Sequence, residues 1–318
     1  MALLLVGLFG TSGVMAEDSW QAQYERDHPL VGGWLDARGA SSQVDPPAPA
    51  ALAQSDVILL GEVHGHPDHH PRQLQIIRWL QEQGRDPALA FEIFDRDDQP
   101  VVARFLAEGG RDADQLAERL GMAKRGWPWA SYRPLVQHAL DQGLAILPLN
   151  LSREDARLVM REGLAALRDD ALVETAMKQA APFTAADTDA WSADVVDAHC
   201  GHIGQEVAQR MVFAQQVRDA VMAANIARAE HRPVVVITGA EHARRDRGIA
   251  HWLSVLKPDW RVATVGMRPV LPDARSIEDY RDVAGRYDWV WLTPRQYDED
   301  PCERMKRQLE QLKKGDAK

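Results

Sequence analysis

Apolar residues gather along this chain in short runs that end abruptly at glycine, proline or charge. Val57 to Leu60, Ala88 to Phe94, Leu144 to Leu149, Pro233 to Thr238, Arg261 to Val265 and Trp289 to Leu292 read as strands. Helical spacing separates most of them, at Gln73 to Gln83, Gln99 to Glu108 and Leu135 to Gln142. Strands alternating with helices predict an α/β fold, a mostly parallel sheet flanked by helices on both faces. From Leu151 to about Glu230 no strand pattern occurs, and Glu206 to Arg228 reads as one long helix rich in Ala, Gln, Val and Met. Residues 151–230 are therefore read as a smaller inserted all-helical domain, within a core made of 17–150 and 231–318. The stretch Ala181 to Asp187 breaks helical periodicity and reads as a loop. Asp45 to Ala51 holds three prolines and reads as a linker or edge segment. No internal repeat or low-complexity tract stands out.

The ends of the predicted strands carry the chemistry. Val57-Ile58-Leu59-Leu60 runs into Gly61-Glu62-Val63-His64 and then Gly65-His66-Pro67-Asp68-His69-His70. This delivers Glu62 and His64 to the carboxyl end of a buried strand, where open α/β sheets keep their ligand crevice. Four of eleven histidines fall between His64 and His70; the plainer alternative is a helix-start loop with solvated imidazoles. Glu92 sits inside the apolar run Leu89 to Phe94, and a buried carboxylate needs a partner or a proton. It is expected in the same crevice, the alternative being a carboxylate that satisfies loop amides. Val236-Ile237-Thr238-Gly239-Ala240-Glu241-His242 repeats the order of apolar strand, glycine, acid and histidine, so His64 and His242 are expected to face each other across one cleft. At least two of Arg244, Arg245 and Arg247 read as a solvated helix face.

Another cluster is Lys124-Arg125-Gly126-Trp127-Pro128-Trp129-Ala130-Ser131-Tyr132-Arg133. Tryptophans beside glycine and proline make a stiff platform flanked by cations, a suitable lining for a large planar acid, and a phenol such as Tyr132 can ligate ferric iron. The alternative is that Trp127 and Trp129 pack under the sheet edge and Tyr132 caps a helix.

Composition narrows the field. Hydrophobic residues make up 45% and charged residues 26% of 318, enough for one large core and a satellite. The formal net charge of −10 gives no electrostatic footing for nucleic acid. Residues 1–16 form an uncharged, mostly apolar stretch closing on Val14-Met15-Ala16, which has the spacing of a secretory signal peptide cleaved after Ala16. The expected location is exported and periplasmic. An outer-membrane association has no lipobox cysteine to support it. The two cysteines, Cys200 and Cys302, then default to one disulfide in an oxidising compartment.

Six segments, taken in order, resemble the ChaN family of haem-binding uptake proteins, in the superfamily that also holds Tiki, TraB and erythromycin esterase. They are Gly61 to His64 with His69-His70; Phe91-Glu92; Lys124 to Trp129 with Tyr132 and Pro134; His199-Cys200-Gly201; Gly239 to His242 with Arg244 to Gly248; and Tyr287 to Trp291 with Asp300-Pro301-Cys302. The resemblance implies a parallel sheet with a small helical domain, and ferric protoporphyrin IX (haem) bound between two monomers in a haem-linked homodimer. It further implies a tyrosine of one subunit on the iron, with a histidine and a lysine of the other on the propionates. Carried over by position, the iron ligand is Tyr132, with Tyr287 as competitor. The lysine is Lys124, and the histidine is His64, with His242 as second choice. The implied partner is an outer-membrane haem receptor or uptake system. Related superfamily members hydrolyse esters or peptides, so the alternative is a hydrolase using Glu62, His64, Glu92 and His242 around a metal or an activated water.

Overall fold

The computed structural model describes residues 20–37, 41–42, 48–167 and 170–315. The leader-like stretch 1–16 and residues 45–47 of the proline-bearing segment lie outside them. Strands β1 (Trp34–Asp36), β2 (Ser41–Ser42), β3 (Val57–Glu62), β4 (Ala88–Asp95), β5 (Ile146–Asn150), β6 (Val234–Gly239), β7 (Val262–Pro269) and β8 (Trp289–Thr293) form one sheet, ordered β2-β1-β8-β7-β3-β6-β4-β5. The six strands from β8 to β5 are parallel to their neighbours, and β1 and β2 add an antiparallel edge. Those two edge strands are too short to leave a period in the sequence.

The helices are α1 (His69–Glu82), α2 (Gln99–Ala107), α3 (Ala113–Arg119), α4 (Trp129–Gln142), α5 (Arg153–Glu162), α6 (Ala171–Gln179), α7 (Ala185–Ala198), α8 (Gln205–Ala227), α9 (Ile249–Leu256), α10 (Arg281–Ala284) and α11 (Pro301–Gly315). Alternate residues of each central strand feed opposite cores. Val57, Leu59, Ala88, Ala90, Val234 and Val236 pack with α5, α6, α8 and α9. Ile58, Leu60, Leu89, Phe91, Val235 and Ile237 pack with α1, α2, α3 and α4. Because both faces are covered, the strands read as continuous apolar runs, and each fully buried Val, Leu, Ile or Phe contributes about 1.5–3 kcal/mol. No helix among the described residues is long and apolar enough to cross a membrane.

The strands run further than their apolar residues do. β3 extends to Glu62, β4 to Asp95 and β6 to Gly239, so the polar residues that appear to end each run are the last members of its ladder. The expected loop at Ala181 to Asp187 is shorter than predicted. Thr184 Oγ1 accepts from the Asp187 amide and starts α7 at Ala185. Pro301 and Cys302 open α11, and Asp300 just before it accepts from the Cys302 amide at 2.8 Å.

Cys200, just after α7, is bonded to Cys302 with a Cα–Cα distance of 5.4 Å across a sequence separation of 102. The bridge ties the helical segment to α11, the helix beyond β8. Closing a loop of that length restricts the unfolded chain, by up to about 4.7 kcal/mol in the chain-entropy treatment. Replacing both cysteines by serine is expected to lower unfolding stability by about 2–5 kcal/mol in urea titrations. A change under about 0.5 kcal/mol would show that the loop is already ordered when the chain unfolds.

Candidate functional site

β3, β6 and β4 lie side by side, and their carboxyl ends bring Glu62, Gly239 and Glu92 together. Two glycines permit this. A Cβ on Gly61 would stand 2.7 Å from Ala243 Cβ and 2.9 Å from Ala240 Cα, so the turn after β6 settles directly onto β3. A Cβ on Gly239 would stand 2.8 Å from His64 Nε2, in space the imidazole occupies.

A row of alternating imidazoles and carboxylates crosses these strand ends. His70 Nε2 lies 2.8 Å from Glu62 Oε2, and Glu62 Oε1 lies 2.9 Å from His64 Nδ1. His64 Nε2 is 4.0 Å from Glu92 Oε2, Glu92 Oε1 is 3.4 Å from His242 Nε2, and His242 Nδ1 is 2.6 Å from Asp219 Oδ1. Glu92 also accepts from Thr238 Oγ1 (2.8 Å), the Gly239 amide (2.7 Å) and Arg218 Nη2 (3.2 Å). Glu62 and Glu92 are 2% and 3% exposed. Burial pushes both acids up, but His64 and His70 around Glu62, and His242, His64 and Arg218 around Glu92, outweigh it and hold each at about 2. Burial pushes the two imidazoles down, and the facing carboxylates more than reverse this, so His64 and His242 are raised. Burial raises Asp219.

The histidine cluster after β3 divides by role. His69 Nδ1 accepts from the Val63 amide at 2.9 Å, so its Nε2 carries the proton it donates to Thr293 Oγ1 at 3.1 Å. His66 likewise accepts from the Asp68 amide and donates to the Pro294 carbonyl, stacked on His69. Burial holds both below the ordinary imidazole value. They fasten the β3–α1 loop to the end of β8, while His64 and His70 serve Glu62.

The row forms one wall of a cleft of about 600 Å³ at the carboxyl ends of the strands. Glu62, His64, Glu92, Trp127, Arg153, Arg157, Arg218, His242 and Arg268 are among its lining. Residues 48–253 match the family model for haem-binding uptake, Tiki superfamily, ChaN. The chain belongs to this family. A protein titled for cofacial haem binding, ChaN of Campylobacter jejuni, shares the fold with a TM-score of 0.64 at 19% identity, over 81% of this chain and 95% of that one. An open-conformation mutant of the erythromycin esterase EreC aligns over 85% of this chain and 99% of that one, with a TM-score of 0.42 at 10% identity. Among curated proteins none matches significantly.

The roles carried over from the ChaN resemblance meet this geometry unevenly. Glu62, His64, Glu92, His242 and Trp127 reach the cleft. Tyr132 does not. It is 1% exposed in the first turns of α4, and its hydroxyl donates to Glu62 Oε1 at 2.5 Å. Burial, then the Glu62 charge, pushes the phenol far above its usual range. Tyr287, also 1% exposed, donates to the Ala240 carbonyl behind the sheet face, with burial pushing it up to about 12. As folded, neither phenol is available to an iron in the cleft. Lys124 is exposed and outside the cleft lining.

The tryptophan platform is also smaller than expected. Trp127 alone lines the cleft, whereas Trp129 turns its Nε1 to Asp114. The flanking cations are drawn off, Arg125 to Asp95 and Asp98 and Arg133 to Asp114. The arginine run after β6 is not a solvated helix face. Arg244 and Arg247 are 5% and 8% exposed, in a turn where they pair with Glu241 and with Asp246 and Asp194; Arg245 alone is exposed. Among the described residues no group of three or more His, Cys, Asp or Glu is arranged to hold a metal ion. Sequence reading missed Arg218 and Asp219. Their signal was a charged pair in the apolar half of α8, immediately before Ala220 to Ala224.

Both carboxylates are depressed from 4.5 to about 2, so their contribution to stability is complete above pH 4.5 and is lost as the pH falls toward about 2. Unfolding stability should therefore fall through that window. Glu92→Gln should flatten the fall while destabilising the protein at neutral pH by about 3–5 kcal/mol, because Arg218 and His242 lose their shared partner. An unchanged acid limb would contradict the assignment. Tyr132→Phe removes a charge-assisted hydrogen bond and should cost about 1.5–3 kcal/mol in thermal or urea unfolding, without altering any ferric-haem spectrum. Loss of a tyrosinate-type charge-transfer band in that variant would show that the phenol leaves Glu62 to bind iron.

Proposed function

We propose that this protein binds ferric haem in the cleft at the ends of β3, β6 and β4, as an exported carrier in haem uptake. The observation that carries this is the family match over 48–253, which spans the elements that build most of the cleft. The residues present fit such a cargo. The cleft volume is within the range that holds ligands of this size. Trp127 offers an aromatic face with the His64 ring 5.1 Å from it, edge-on, and arginines supply charge for propionates. Bound haem would bring an iron able to take a nitrogen or oxygen ligand. This chain's residues would hold its ring and its carboxylates, with His64 placed nearest Trp127.

The cleft is open on one side, so a planar ligand held there keeps one face uncovered. A second copy of the chain, itself carrying haem, is the proposed cover, in line with the cofacial binding for which the Campylobacter jejuni protein is titled. Export is supported by the Cys200–Cys302 bond, which the reducing cytosol would not sustain. An outer-membrane haem receptor is the proposed source of cargo.

Titrating apo-protein with ferric haem should give a saturable Soret shift, and sedimentation velocity should move from monomer to dimer as haem is added. Absence of a saturable Soret change contradicts the haem reading. A monomer at saturating haem contradicts the shared-cover arrangement alone.

A second reading rests on one observation. His64 Nδ1 is held by the Glu62 carboxylate while Nε2 faces the cleft beside Glu92, the arrangement of a general acid–base imidazole. An ester-hydrolysis panel on wild type and His64→Ala tests it: turnover abolished by the substitution supports catalysis, and turnover equal in both rejects it.

A further inference from the structure

Four carboxylates line the cleft, and each already has cationic partners. Glu62 lies against His64 and His70, Glu92 against Arg218 and His242, Asp95 against Arg125, and Glu241 against Arg247 and Arg244. Four arginines line the same cleft, and only Arg218 has a carboxylate within ion-pair distance. Arg153, Arg157 and Arg268 have none among the described residues. The cleft thus holds three unmatched guanidinium groups in a chain whose net charge is −10.

Two of the three stand together. Arg153 and Arg157 are four residues apart on α5, which puts them on one helix face. Arg268 is at the far end of the cleft, on β7, four strand positions from β5, or about 19 Å at ordinary strand spacing. The Arg153 guanidinium also reaches the aromatic wall. A side chain on Gly126, the residue before Trp127, would stand 3.7 Å from Arg153 Nη1. An aromatic face and two unmatched forked cations therefore adjoin. A guanidinium binds a carboxylate through two parallel hydrogen bonds, which a lysine ammonium cannot reproduce.

Resting on the haem reading, we infer that Arg153 and Arg157 are the carboxylate-binding residues of this cleft, each taking one propionate of a porphyrin whose ring lies toward Trp127. The role that the ChaN resemblance gives to Lys124 falls in this chain to α5. The cleft selects for the diacid: a porphyrin whose propionates are esterified offers the same ring but leaves both guanidinium groups without a counter-charge.

The test compares ferric mesoporphyrin IX with its dimethyl ester, titrated by Soret absorbance into wild-type protein, Arg153→Ala, Arg157→Ala and the double variant. Wild type should prefer the diacid by on the order of tenfold or more. Each single substitution should weaken diacid binding on the order of tenfold or more, and the double should remove most of the diacid preference while ester affinity stays within about twofold. Arg153→Lys with Arg157→Lys, which keeps charge but not the fork, should restore only part of the preference. Diacid affinity unchanged in the double variant overturns the inference, as does equal loss for diacid and ester. If wild type binds diacid and ester alike, the inference falls and the haem reading stands. If wild type binds neither, the haem reading itself falls.

Discussion

The ionised state of two buried carboxylates governs this structure. Glu62, at the end of β3, and Glu92, near the end of β4, flank β6 in a region where an isolated charge would cost several kcal/mol, and each is held by imidazole, amide or guanidinium partners from other elements. The partners come from α1, the loop after β3, the turn after β6 and α8, so the two acids fasten parts of the chain that sheet pairing alone leaves independent. Asp219 extends this to the helical segment. Through His242 it fixes α8, in the middle of 23 helical residues, to the end of β6. The segment between β5 and β6 is thereby part of the site rather than an ornament on it.

Charge accounting then separates structural groups from groups left over for a ligand. The row from His70 to Asp219 is internally matched, and so is the Arg244–Arg247 turn. Among the described residues, what remains unmatched in the cleft is cationic and lies mainly on α5. A polyanionic ligand completes that balance, whereas a neutral or cationic one leaves it open. The phenol of Tyr132 belongs to the matched set, since its proton satisfies Glu62 from below.

Much of this was legible from sequence, for physical reasons. Because both sheet faces are covered, Val57 to Leu60, Ala88 to Phe94 and Pro233 to Thr238 read as unbroken apolar runs, and Glu62, Glu92 and His242 stand out at or near their ends. The rest was hidden where side chains, not backbone periods, decide. Nothing local distinguishes His66 and His69, which brace a loop, from His64 and His70, which hold an acid. In sequence Lys124 and Arg153 are each one cation among many, and only the fold places α5 beside Trp127. The expectation for Arg244 and Arg247 failed because Asp194 of α7, about 50 residues earlier, closes over the turn in which both also meet Glu241. Tyr132 looked free because its partner is 70 residues away.

The proposed haem site can be located directly. Anomalous diffraction at the iron absorption edge, on crystals grown with ferric haem, measures this without assuming a ligand or a spectrum. The expected result is an iron peak inside the cleft bounded by His64, Trp127 and the α5 arginines, with porphyrin density reaching Arg153 and Arg157. An iron peak confined to another surface, with this cleft holding solvent alone, would contradict it.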